Sequence, residues 1–312
     1  MQFKTSIIIP TYNRPDDLRN CIESLLKQTV PPSEIIIVDD GNLTEPPLKT
    51  KCEELAIQYV YYKKDTPGLT ASRNKGIGMS TGDIIFFLDD DVVLLPDYIE
   101  EILKIYESTG NVGGVGGAIA NHKKLGFVQK LRKIMEIPFM VSGLREGKVL
   151  PSGFCTSFGT TPFEIKQVTE VDFLSGGVCS FKKEVFNSFA FDSKHFLNYG
   201  LGEDKDFSYR VSKAFKLIYT PHARLYHYES PKMRPNDFKE GFMFVVFTHY
   251  FFETHVKKHF IQWVFFYYAF LGYVLLRMFV CAVSPKKDNI DKLKGLLSAL
   301  FEVTFKGTKV VQ

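Results

Sequence analysis

Three consecutive carboxylates, Asp89, Asp90 and Asp91, interrupt an apolar run from Ile84 to Leu95. Like charges this close repel, and a cation among them relieves the repulsion. Carboxylates also favour helix starts, but Pro96 marks the next helix, and Val92 to Leu95 intervene. Mg²⁺ or Mn²⁺ typically takes one or two carboxylates together with substrate phosphates. An Asp-x-Asp at a strand end is therefore half of a site for a metal–diphosphate complex. Other polar groups with chemical capacity are scattered through the chain. Thr11 to Arg14 follow an apolar strand, and Asp39-Asp40 precede Gly41. Glu203, Asp204 and Asp206 open a helix in GEDKDF, and His227 closes a strand.

These groups meet only if the elements carrying them align. Thr5 to Pro10 is short, β-branched and apolar, as a buried strand is. Leu18, Cys21, Ile22, Leu25 and Leu26 then recur at helical spacing. Pro15, Asp16 and Asp17 suit the first turn of that helix. Further strands are predicted at EIIIVDD (34–40), IQYVYYKK (57–64) and DIIFFLDDD (83–91). Helices are predicted from Thr70 and from Pro96. Strands alternating with helices imply a mostly parallel sheet covered on both faces. Ligands in such sheets sit at the carboxyl ends of strands, where these polar clusters fall.

The chain has 312 residues, 45% hydrophobic and 24% charged, which is globular rather than disordered composition. A net charge of +4 is too mild for a nucleic-acid binder and suits an anionic ligand or membrane face. Five scattered cysteines without a CxxC fit buried thiols in a reducing compartment. Ile7-Ile8-Ile9 is too short for a secretory signal and is cut by Pro10, so the body is expected in the cytosol. GNVGGVGGAI is glycine-rich but fits no GxGxxG register, so a dinucleotide site is rejected.

In order, SIIIPTYNRP, IIIVDDG, ASRNKGI, IIFFLDDDV, FLSGGVCSFKKEVF and GEDKDFSYR resemble the family-2 glycosyltransferases of GT-A fold, from about residue 4 to 231. The resemblance implies an α/β fold with a mostly parallel sheet flanked by helices. It implies inverting transfer of a sugar from a nucleotide-diphospho-sugar to an acceptor hydroxyl, assisted by Mn²⁺ or Mg²⁺. Pro10, Thr11, Tyr12, Arg14 and Asp39 match positions that hold the base and ribose, and Arg73 one near the diphosphate. Asp91 is then a direct metal ligand, with Asp89 nearer the ribose or the metal's waters. Asp90 either shares that load or points away. Asp204 takes the position of the catalytic base, with Glu203 orienting it or the acceptor and Asp206 supporting structure. Gly176 and Gly177 fall where acceptor and donor sugar meet, or else form a tight turn. His227 matches a metal ligand of some relatives, against the alternative of a structural histidine.

The domain expected over 1–231 has a nucleotide-binding half to about 120 and an acceptor half thereafter, including an irregular excursion over 121–168. A helical membrane-associating region is expected over 232–312. Its segment 260–283 is long and apolar enough to span a bilayer, with Lys257-Lys258 and Lys286-Lys287 flanking it. Spanning, lying in the interface and packing as an ordinary buried helix are the three readings, and an amphipathic helix over 288–306 follows, on the bilayer or on the core. The expected setting is the cytoplasmic membrane face, single-pass or peripheral, with a glycan or lipid-linked acceptor and no nucleic acid. Two rival readings are a sugar-phosphate nucleotidyltransferase, which lacks its glycine-rich first loop here, and an inactive membrane-associated binding protein.

Overall fold

The computed structural model describes residues 3–123, 125–197, 200–228 and 235–306; the expected boundary between 231 and 232 lies outside them. The chain opens with β1 (Thr5–Thr11), α1 (Pro15–Leu25), β2 (Glu34–Asp39), α2 (Lys49–Glu54), β3 (Gln58–Lys63), α3 (Leu69–Met79) and β4 (Ile84–Leu88). Next come β5 (Val92–Leu94), α4 (Tyr98–Ser108), β6 (Val112–Ile119), α5 (Phe127–Glu136), β7 (Lys148–Val149) and β8 (Cys155–Thr156). It continues through β9 (Thr169–Val171), β10 (Val178–Lys182), α6 (Glu203–Val211) and β11 (Lys216–His227). Three helices close it: α7 (Asp237–Phe251), α8 (Ile261–Val283) and α9 (Lys287–Lys306). Two compact units result, the first comprising 1–122, 165–193 and 203–230, the second 123–164, 194–202 and 231–312.

The first unit is a sheet ordered β3-β2-β1-β4-β10-β6-β11-β5, with β9 also on β11. Strands β1 to β4 run parallel. Strand β10 is antiparallel to both β4 and β6, and β11 is parallel to β6. Two reversals restore direction, so β11 points the same way as β4. Its end at His227 therefore shares an edge with the ends of β1, β2 and β4. Because β10 is reversed, its beginning, preceded by Gly176 and Gly177, lies at that edge too. The topology alone thus brings distant polar clusters together.

Strands β1, β2 and β4 are buried along their whole length, as continuous apolar runs between two helical layers must be. Helix α1 begins at Pro15, whose fixed φ suits a first turn, and buries Leu18, Cys21, Ile22 and Leu25. Leucine and isoleucine side chains each contribute about 1.5–3 kcal/mol when fully buried.

Strand β6 is the glycine-rich VGGVGGAI, and its glycines are steric necessities. A Cβ on Gly113 would sit 2.4 Å from Phe215, on Gly114 2.6 Å from Phe181, and on Gly117 2.5 Å from the Tyr98 ring. Bulky neighbours occupy the space a strand former's side chain would take.

In the second unit, α7 and α9 cross closely: a Cβ on Gly295 would meet the Phe238 carbonyl oxygen at 2.0 Å, and one on Gly241 that of Lys292 at 2.3 Å. Helix α8 packs through aromatic contacts, Phe154–Phe270 at 5.0 Å and Phe252–Phe266 at 4.5 Å between centroids.

Gly117→Val replaces a poor strand former by a good one, yet it should destabilise the protein by about 1–3 kcal/mol through overpacking. Gly110→Ala, with no heavy atom within 4 Å of its Cβ, should stay within about 0.5 kcal/mol of the parent. Urea unfolding of both variants makes the comparison.

Candidate active site

The site residues singled out from the sequence all lie in the first unit, mostly where its strands end. Strand β4 stops at Leu88 and the acidic triplet forms the turn into β5. Asp90 is buried beneath this turn. Thr11 Oγ1 donates to its Oδ2 at 2.7 Å, and Arg14 Nη1 donates to its Oδ1 at 3.1 Å. The same Arg14 nitrogen lies 3.4 Å from Asp91 Oδ2. Burial pushes the Asp90 carboxyl up to about 6, although Thr11 and Arg14 pull the other way. Asp90 thus ties the end of β1 and the start of α1 to the acidic turn.

Asp89 and Asp91 face His227. Its Nε2 lies 3.0 Å from Asp91 Oδ1, and pairing of His227 with Val92 holds the imidazole at the turn. One atom from each of Asp89, Asp91 and His227 falls within 4.8 Å of the other two. Two carboxylates and an imidazole at this spacing match the donor set and reach of a divalent cation. By that measure the residues fit a metal ion.

Arg73, on α3, is 2% exposed and is the largest fully buried side chain among the described residues. Its Nη1 donates to Glu203 Oε1 at 3.0 Å, and its Nη2 lies 3.6 Å from Asp89 Oδ1. Burial, then the neighbouring Asp204, raises the Glu203 carboxyl above the usual range, and Arg73 opposes the rise. Asp204 Oδ2 accepts the Gly176 N–H at 2.9 Å and its Oδ1 accepts the Lys205 N–H at 2.8 Å. These two bonds fix the carboxylate while leaving each oxygen acceptor capacity. Asp206 pairs with Arg210 along α6 at 2.9 Å.

The two glycines make this convergence sterically possible. A Cβ on Gly176 would lie 2.8 Å from Arg73 Nη2 and 2.9 Å from Asp204 Cβ. One on Gly177 would lie 2.1 Å from Asp89 Oδ2. Asp89, Arg73 and Asp204 therefore crowd around one pair of residues lacking side chains, with Glu203 held on Arg73.

Asp39, at the end of β2, is 0% exposed. Its Oδ1 accepts Gly41 N–H at 2.7 Å, and its Oδ2 accepts Tyr61 O–H at 2.8 Å and Leu43 N–H at 3.1 Å. It closes the loop that follows. Asp40 is held by Ser72, the Gly68 N–H and Lys64, at 2.6 to 2.9 Å. Pro10 and Thr11 end β1, and Tyr12 is half-buried beyond them. Sequence patterns did not reveal the Arg73–Glu203 pair, separated by 130 positions. Nor did they reveal the Tyr61 and Lys64 supports, whose only signal is their place around the end of β3.

Residues 6–168, just over half of the chain, match the glycosyl transferase family 2 profile. The chain belongs to this family. Among curated relatives it is 37% identical over 123 residues to the uncharacterized glycosyltransferase YwdF of Bacillus subtilis, covering 39% of this chain and 46% of that one. It is 32% identical over 119 residues to the glucosyl-dolichyl phosphate glucuronosyltransferase of Haloferax volcanii, covering 37% and 38%. The match spans less than half the length of either relative. Solved structures of similar fold include the mannosyltransferase PcManGT of Pyrobaculum calidifontis in complex with GDP-Man and Mn²⁺ (TM-score 0.58, 11% identity, 98% of this chain and 88% of that one). Residues 1–349 of S. aureus TarS in complex with UDP-GlcNAc are another (0.53, 14%, 96% and 81%). At these identities the likeness establishes the GT-A fold alone.

Asp91→Asn should weaken Mn²⁺ binding by more than the roughly 10–100-fold that loss of a supporting partner costs. His227→Ala should weaken it less, since two carboxylates remain. Titration of the purified chain by Mn²⁺ electron paramagnetic resonance measures both. Gly177→Ala must displace Asp89, and the same titration should show reduced affinity.

Proposed function

We propose that this chain transfers a sugar from a nucleotide-diphospho-sugar to an acceptor hydroxyl in one inverting displacement. The supporting observation is the gathering of Asp204, Glu203 and the Asp89–Asp91 turn around Arg73 and Gly176. Asp204 is the general base. It takes the proton from the acceptor oxygen as that oxygen attacks the anomeric carbon opposite the leaving diphosphate. Its two backbone hydrogen bonds prevent it from rotating away. Glu203 and Arg73 hold the start of α6 against the acidic turn, which keeps base and donor sites in register.

Asp89, Asp91 and His227 would hold a divalent cation, whose charge offsets that of the departing nucleoside diphosphate. Carboxylates accept Mg²⁺ or Mn²⁺, and the imidazole favours Mn²⁺ over the oxygen-seeking Mg²⁺. Pro10, Thr11 and Tyr12 form the floor on which the nucleotide sits, and the Tyr12 ring offers a face to the base. Asp39, fully buried and bonded to Gly41, Leu43 and Tyr61, contributes by shaping the loop beside that floor. Arg14 lies at the acidic turn and supplies positive charge near the diphosphate. Arg73 acts from beneath, through Asp89 and Glu203.

The acceptor is a lipid-linked glycan in glycoconjugate or polysaccharide synthesis. The similarity to an H. volcanii enzyme whose name specifies a dolichyl phosphate compound supports this choice.

Asp204→Asn should lower kcat by about 10²–10⁴-fold while leaving donor affinity near that of the parent, because the base acts only in the chemical step. Turnover at the parental rate would remove Asp204 from this role. A thermal-shift screen of nucleoside diphosphates, with and without Mn²⁺, should show stabilisation that needs both partners. Activity unchanged by EDTA would rule out an exchangeable metal.

A further inference from the structure

Helix α8 contains 23 residues. A helix rises about 1.5 Å per residue, so α8 is long enough to cross a bilayer. Its surroundings argue against crossing. Phe266, Ala269, Phe270 and Leu276 are at most 6% exposed, so the middle of the helix is packed against its own unit. The partners on that side include Phe139, whose ring fills the space above Gly272, and Phe154, beside the β7–β8 hairpin. Inserting α8 across a membrane would pull the hairpin and its neighbouring turns into hydrocarbon. Irregular backbone facing lipid there leaves polar groups unpaired, which bilayers do not tolerate.

The opposite side of α8 is apolar and uncovered. Val264, Leu271, Leu275, Met278 and Phe279 are each about half exposed, and they recur at helical spacing. Trp263, Tyr267, Tyr268 and Phe260 help line an open apolar hollow of about 670 Å³ along the same helix. Exposed Lys257 and Lys258 precede the helix, and exposed Lys286 and Lys287 follow it. Charge is segregated between the units. The stretches of the second unit carry 20 Lys and Arg against 9 Asp and Glu, while those of the first carry 19 against 26. The mild net charge of the whole chain conceals this division.

We propose that α8 is an in-plane membrane seat that lies lengthwise at an anionic lipid surface without crossing it. Its outer residues enter the boundary between headgroups and acyl chains. The lysine pairs at both ends meet acidic headgroups, which draw basic segments within a Debye length. A second copy or another protein would explain the apolar side but not the lysines at both ends. The proposal does not depend on the catalytic reading, because its test measures no turnover.

The test uses the purified full chain and vesicles of phosphatidylcholine, alone or with phosphatidylglycerol. Flotation should show at least tenfold stronger binding to the anionic vesicles. Reversing the four lysines (Lys257, Lys258, Lys286 and Lys287→Glu) should abolish that preference, and Leu271→Glu with Leu275→Glu should abolish binding. All these positions are exposed, so circular dichroism melting should remain unchanged. Depth is read from fluorescence. Trp263 is the sole tryptophan, so Trp263→Phe with Leu271→Trp moves the probe to the middle of α8. Lipids brominated near the headgroup should quench this variant more than lipids brominated deep in the chain. Stronger deep quenching would show a spanning helix and overturn the proposal. So would no binding to either vesicle, or a dimer by light scattering that Leu271→Glu dissolves and vesicles do not.

Discussion

A guanidinium deprived of water must be paired, and the burial of Arg73 organises the candidate site around that requirement. Its partners are Glu203 at the start of α6 and Asp89 at the end of β4. Neither carboxylate is near the other in sequence. Removing a buried cation's partner costs several kcal/mol, so α3, the acidic turn and α6 are held to one arrangement. Asp204 follows Glu203 and inherits that placement. Its hydrogen bond to Gly176 closes the circuit. Acidic groups that repel one another are thus held together by a cation supplied by the protein beneath them. The space between Asp89, Asp91 and His227 suits a second, exchangeable cation.

The same crowding explains the glycines. Gly176 and Gly177 occupy positions where any side chain would collide with Arg73, Asp204 or Asp89. In β6 the collisions would be with Phe215, Phe181 and Tyr98. Both glycine clusters are signatures of close approach rather than flexibility. The acidic triplet is also divided by geometry. Asp90 is turned inward to Thr11 and Arg14, and its neighbours face His227. The turn between β4 and β5 directs Asp90 away from its two neighbours, so one aspartate braces the turn that presents the other two.

The second unit is basic and rich in exposed apolar surface, the first acidic and closed over its core. Seating the second on lipid would hold the chain at the surface where the lipid-linked acceptor proposed above would be concentrated. The physical demand behind this reading is modest, since one helix face and a few lysines suffice. Half of α8 serves its own core and half is left for an external surface.

Periodicity and composition determined much of this protein. The strands at 34–40, 57–64 and 83–91 and the helix after Pro15 were legible because apolar spacing records which face is buried. The ordered polar clusters at strand ends announced the family. The long apolar segment at 260–283 announced a helix, observed as Ile261–Val283. Its orientation was not legible, because length is the same for a helix that spans and one that lies flat. Strand β6 was hidden, since its glycines carry no strand propensity and make sense only beside the rings that press on them. Arg73 was legible as an arginine matching one near the diphosphate. Only tertiary packing shows it turned inward to Glu203 and Asp89. Asp39 was legible as a strand-end acid, but not its engagement with Gly41, Leu43 and Tyr61. The reason is common to all these cases. A sequence records each residue's local preference, whereas partners separated by scores of residues are chosen by strand order and direction.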